Sequence, residues 1–387
     1  MPAPGVARRV PFDAEDNLFL LPGPVKMHPR VLAAMARPAA SHRGPEFQET
    51  VKRLEAGLKQ VIGAPHVAIL TGSGTAGMEA AISNLVHWGD RAIGLDNGNF
   101  GSRMSKLVAR YAHDKAVTVT SPWGQGVDLE ALAAELETGG TKAVAFTLNE
   151  TSTGVMNQGK EIAALCRKHD ALCIADPIPA TGAVPVPMQE WGLDVSIVGS
   201  QKCLGGPSGL VFVGVSQRAY DRLDSPSLYL DVKKHVDKQE KEQQTPFTPA
   251  VPLFAASLEG LDLLQKEGLE NRFKRVKRLA DGCRAAAEAA GLELAAAQGL
   301  RSDTVTAIKL PGGVDDKQVR GVLKDRFGIV VGGGQEAWKG KVFRIGHMGT
   351  ISWAELAACW AGIEAAFRLA GKPLPKGAAT AALVEHA

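Results

Sequence analysis

Cysteine is scarce: there are five in 387 residues, at positions 166, 173, 203, 283 and 359, and none form a Cys-x-x-Cys pair or other metal-binding spacing. No metal site is expected, and a scattered, odd-numbered set predicts reduced thiols in a cytoplasmic protein, not a disulfide framework. Long apolar runs are also missing. None reaches the roughly 18 residues of a membrane span. Arg8 and Arg9 lead into Asp13, Glu15 and Asp16 with no apolar core after them, so no signal peptide is read there. Basic runs are absent too, and with a formal net charge of +3 a nucleic-acid partner is not expected.

What is present is an alternation. Apolar residues at 47, 51, 54, 58, 61 and 62 mark one face of a helix. Strand patterns at 66–71, 91–95, 116–120, 142–148, 171–175, 194–198 and 210–215 are mostly separated by amphipathic helical stretches. Near-continuous apolar strands of this kind predict an α/β fold, a mostly parallel sheet covered on both faces. The ligand of such a sheet lies beyond the carboxyl ends of its strands. Five candidate segments fall there: Gly72–Thr75, Asn97–Arg103, Asn149–Gly154, Asp176 and Ser200–Lys202.

The stretch from Cys173 to Val213 organises these segments. Lys202 follows an apolar strand, among Gly199, Gly205 and Gly206, which let backbone approach a bulky group closely. A lysine there is either an ordinary surface-turn lysine or, if dehydrated, a nucleophile or base. Asp176, at the end of another apolar strand, favours the second reading. A carboxylate at one strand end and a lysine amine at a later strand end of the same sheet suit pyridoxal 5′-phosphate (PLP), whose aldehyde takes the amine and whose ring nitrogen takes the carboxylate. Gly72-Ser73-Gly74-Thr75, between a strand and a helix start, is an anion-binding arrangement but neither a dinucleotide fingerprint nor a P-loop.

Asp176, Gly-Ser-Gln-Lys at 199–202 and Gly-Pro-Ser-Gly-Leu at 206–210 resemble the class V aminotransferases of PLP fold type I. The chain is most similar to the alanine/serine–glyoxylate aminotransferase group, over about Leu20 to Leu369. The resemblance implies Lys202 and Asp176 as catalytic residues. It implies Ser73, Gly74 and Thr75 as the phosphate cradle and Phe100 stacked on the pyridine ring. Ile178 would lie on the opposite ring face, Ser152 near the cofactor hydroxyl, and Ser200 and Gln201 at the phosphate. Thr248 would reach the phosphate of a second subunit in a homodimer whose active sites lie at the interface; a tyrosine common three residues earlier is Thr245 here. Gly23, Arg43 and Arg344 are implied on the substrate side, with Arg344 taking the α-carboxylate through its bidentate fork.

The expected organisation is an N-terminal arm (1–19), a large PLP-binding domain (20–255), a connecting helix with a small C-terminal α/β domain (256–372), and a disordered tail (373–387). The charged stretch 231–244 reads as a solvated helix or loop, and one long helix is expected from about 253 past Gly268 to 290. The expected reaction is ping-pong transamination between a small L-amino acid (alanine, serine or aspartate type) and a 2-oxo acid such as glyoxylate or pyruvate. Alternatives are another class V PLP enzyme, either a 2-aminoethylphosphonate aminotransferase or a cysteine desulfurase or lyase, and a non-enzymatic binding module on an α/β sheet.

Overall fold

The computed structural model describes residues 17–38 and 40–387; most of the expected N-terminal arm lies outside them. The strands are β1 (Leu18–Leu20), β2 (His66–Thr71), β3 (Arg91–Asp96), β4 (Ala116–Thr120), β5 (Thr141–Thr147), β6 (Asn149–Glu150) and β7 (Val155–Met156). They continue with β8 (Leu172–Asp176), β9 (Val195–Gly199), β10 (Leu210–Val215), β11 (Val305–Lys309), β12 (Ile329–Gly333) and β13 (Val342–Gly346). Seven form one sheet in the order β2-β10-β9-β8-β5-β3-β4, parallel except for β10, which runs antiparallel to both neighbours.

Alternation along the strands explains why helices cover both faces. In β2, Val67 and Ile69 join the core formed with the helices Pro45–Ile62 and Val251–Glu267. Ala68 and Leu70 join the opposite core, with Gly74–Ser83, Asn99–Ala112 and Val232–Glu242. All five residues of β8 and of β9 are buried, as interior strands require. Each fully buried Val, Leu or Ile contributes about 1.5–3 kcal/mol, so two continuous cores fix the register that brings the strand ends together.

The small domain is a second sheet, β1-β12-β13-β11, packed on the helices Leu269–Ala289 and Trp353–Leu369. A serine–glutamate capping box, Ser352 with Glu355, begins the latter helix. β1 pairs in parallel with β12, so the chain visits the small domain before entering the large one.

Several expectations need correcting. The single long helix is two, Val251–Glu267 and Leu269–Ala289, broken where Gly268 takes φ +82°, a conformation that L side chains rarely adopt. The first half packs Phe254, Leu261 and Leu264 into the core of the seven-stranded sheet. The 373–387 tail contains a helix, Ala378–Val384, seated on Leu269–Ala289 through buried Ala379 and Leu383. Glu364 accepts the N–H groups of Gly377 (2.8 Å) and Ala379 (3.2 Å) at its start, which is why so short a segment is ordered. Residues Val232–Glu242 are helical as one expected option held, but Val232, His235, Val236 and Gln239 are buried, so the segment is not simply solvated.

Candidate active site

The strand ends converge on a cavity of ≈ 170 Å³. Its wall includes Ser73, Gly74 and Thr75 after β2, Phe100 and Arg103 after β3, Asn149 and Thr151 after β5, Asp176 and Ile178 at β8, and Gln201 and Lys202 after β9. Gly74 permits the close approach of its helix: a Cβ there would lie 2.6 Å from Ile178 Cδ1. No side chain caps that helix start, which leaves first-turn N–H groups open to an anion.

Lys202 is buried, and its Nζ donates to the Pro22 carbonyl of the loop after β1. A Cβ on Gly23, at φ +103°, would lie 2.3 Å from that Nζ, so only glycine fits beside the amine. The Val25 N–H donates to Gln201 O at 3.0 Å, tying the same loop to the lysine segment. Burial, opposed by weaker attractions, lowers the lysine pKa from its ordinary 10.5 to about 8. Asp176 responds oppositely. Burial raises it to about 7; its Oδ1 accepts the Ile178 N–H at 3.0 Å, Glu150 repels its charge, and Lys202 and Arg103 favour it.

Glu150 fixes the ring side of the cavity. Fully buried, it accepts the N–H groups of Phe100 (2.9 Å) and Gly101 (2.8 Å) through one oxygen and the N–H and hydroxyl of Ser152 through the other. Burial pushes its pKa up, and those hydrogen bonds oppose the shift. On the small-domain side, buried Arg344 donates from Nε to Gly333 O and from Nη1 to Thr151 O, both at 2.9 Å. It thus meets the cavity wall at Thr151, and its other terminal nitrogen has no hydrogen-bond partner among the described residues.

Other expected residues are placed elsewhere. The Ser200 hydroxyl donates to Pro207 O and to Leu210 O (2.9 Å) and does not line the cavity. The Ser152 hydroxyl is committed to Glu150 and to the Asn99 N–H (3.0 Å), leaving Asn149 and Thr151 to form that wall. Arg43 is exposed and holds Gln244 Oε1 (2.8 Å) and Thr245 O (2.7 Å). Thr248 is exposed beside a different hollow, with Tyr229 and Phe247. Arg103, Asn149 and Glu150 received no individual role from sequence reasoning. The available signals were the i, i+3 spacing of Arg103 from Phe100 and a carboxylate inside an otherwise uncharged run.

PLP fits these residues. The cavity offers an amine of lowered pKa, a buried carboxylate, an aromatic ring and an open helix start. The buried Asn149 Oδ1 and Gln201 Oε1 have no hydrogen-bond partner among the described residues, as expected of a wall that a polar ligand completes. Fold and site together define a PLP-dependent transferase of fold type I.

Comparison with known proteins narrows this class. The aminotransferase class-V family matches residues 26–361. The chain is 40% identical to an uncharacterised aminotransferase of Methanocaldococcus jannaschii, covering 93% of this chain and 95% of that one. It is 38% identical to a protein of Synechococcus sp. named the small subunit of a soluble hydrogenase (90% and 92%). Identity to the L-aspartate–glyoxylate aminotransferase of Paracoccus denitrificans is 33% (96% of each). The crystal structure of a pyridoxamine–pyruvate aminotransferase from Mesorhizobium loti superposes with a TM-score of 0.91 at 29% identity, covering 95% and 96%. The chain belongs to the class-V aminotransferases and is a PLP-dependent enzyme.

Proposed function

We propose that the protein moves an amino group from a small L-amino acid of the alanine, serine or aspartate type to glyoxylate or pyruvate, in two successive half-reactions at one site. The observation that carries this reading is Lys202, a buried amine of lowered pKa that shares a cavity with Asp176 and has Arg344 at the cavity's edge. The similarity to aspartate–glyoxylate and pyridoxamine–pyruvate aminotransferases supports the acceptor class.

When bound, PLP supplies the electron sink and the carrier for the amino group. The chain's own residues do the rest. Arg344, held by two backbone carbonyls, binds the donor's α-carboxylate and orients its Cα–H toward Lys202. Lys202 takes the Cα proton as general base and returns a proton in the reverse direction. Asp176 would face the ring nitrogen, whose positive charge favours the carboxylate form that burial alone opposes. Phe100 and Ile178 would enclose the ring from its two faces.

A desulfurase reading finds no support in the cysteines. All five are buried, and the Cys203 thiol, next to Lys202, donates to Pro179 O at 3.0 Å and is pushed up to about 12 by burial. We further propose a homodimer in the cytoplasm. Exposed Leu228 and Tyr229, with Phe247 stacked on Tyr229 at 5.5 Å, form an apolar margin beside Thr248 that a second copy would cover.

The reading is tested by titrating PLP-loaded protein with a panel of amino acids while following the visible absorption of the bound cofactor. The band is expected to bleach with an alanine-, serine- or aspartate-type donor and to return on adding glyoxylate or pyruvate. Lys202→Ala should abolish both changes. A band unmoved by every donor would refute the proposed substrates.

A further inference from the structure

One cation in the cavity wall has no part in the reaction as described. Arg103 stands one helical turn beyond Phe100. Its Nη1 donates to Thr75 Oγ1 at 2.9 Å, and its guanidinium carbon lies 4.9 Å from the centroid of the Phe100 ring. Among the described residues no carboxylate is within salt-bridge distance, and the neutral Thr75 hydroxyl is its only hydrogen-bond acceptor. A half-buried guanidinium with most of its donors unused is a receptor for a multi-oxygen anion.

Two anions could enter this cavity: the cofactor phosphate and a second carboxylate on a dicarboxylic substrate. Position distinguishes them. Thr75 belongs to the first turn of Gly74–Ser83, whose N–H groups no side chain caps. Arg344 approaches from the small domain, anchored on Gly333 and Thr151. Arg103 lines the cavity beside that turn, whereas Arg344 meets the wall only through Thr151. We propose that Arg103 is a binding residue for the PLP phosphate, acting with the open helix start at Ser73–Thr75, while its stack on Phe100 steadies the ring on which the cofactor rests. The inference rests on this cavity being the PLP site.

The test compares PLP with pyridoxal, which has the aldehyde but no phosphate. Protein freed of cofactor is titrated with each, and binding is read from the visible absorption of the lysine-bound chromophore. Arg103→Gln is expected to weaken PLP binding ~10- to 100-fold, the span of one lost charge-assisted hydrogen bond, and to weaken pyridoxal binding far less. Arg103→Lys, which keeps the charge without the fork, should recover part of the preference for PLP, and circular dichroism checks that both variants fold. Equal losses for PLP and pyridoxal would show that Arg103 acts only by placing Phe100, overturning the phosphate role. Undiminished PLP binding with a half-reaction impaired for aspartate but not alanine would assign it to a substrate carboxylate instead. If wild-type protein binds neither compound, the cavity is not the PLP site and both readings fall together.

Discussion

Lys202 owes its chemistry to its surroundings. Its amine is packed against Pro22 and Gly23, and loss of hydration outweighs the nearby charges that would keep it protonated. With a pKa of about 8, about one amine in ten is neutral at pH 7, against roughly one in three thousand for a lysine at 10.5. The neutral amine is the form that captures PLP. The rate of capture by cofactor-free protein is therefore expected to rise about tenfold from pH 7 to 9 and then level off. Stopped-flow absorbance measures it; a rate still climbing steeply toward pH 10.5 would mean that the lysine is hydrated. Strand-end position and residue type suffice to nominate Lys202 and Asp176 from the sequence, and both line the cavity. Ser152 and Ser200 show where that reasoning stops. A hydroxyl's direction is set by the nearest acceptors, here Glu150, Pro207 and Leu210, which come together only in the folded chain.

At the scale of elements, the helix Val232–Glu242 shows how a polar sequence can be structural. It lies along β2, an edge of the large sheet. From it the fully buried Gln239 takes the Ile69 N–H on Oε1 (3.1 Å) and gives Nε2 to the Ile69 carbonyl (3.0 Å). One side-chain amide does for the Ile69 backbone what a further strand would do. Gln239→Leu keeps the volume but strands both backbone groups, at about 1–3 kcal/mol each. The urea midpoint is expected to fall accordingly, and an unchanged midpoint would mean that water replaces the amide. Composition hid this role, since the segment is dominated by Lys, Glu and Gln and its four buried positions are few. The helix break was equally hard to read: Gly268 lies within a sustained apolar pattern, and only the backbone angle distinguishes an interruption from a tolerated glycine.

At the scale of the molecule, the alternation of apolar strands and amphipathic helices was enough to predict the large sheet, because each strand buries both faces and must be covered twice. Its assembly with other copies depends on surface, which patterning does not describe. If Leu228, Tyr229 and Phe247 meet a second copy, sedimentation should report twice the 40.8 kDa chain mass. Tyr229→Asp should then yield monomers with weakened PLP binding, because Thr248 could no longer reach the neighbouring site. Monomeric wild-type protein that binds PLP fully would refute the shared site.

The order in which the chain is made has a further consequence. Pro22 and Gly23, which roof Lys202, hang from β1, and β1 is secured by Ile329–Val331 near the opposite end of the sequence. During vectorial synthesis the lysine leaves the ribosome well before the strand that anchors its roof. The large domain can assemble its sheet early, but a closed pocket belongs to the finished polypeptide. Premature termination anywhere before β12 thus leaves the lid of the cavity without the strand that anchors it.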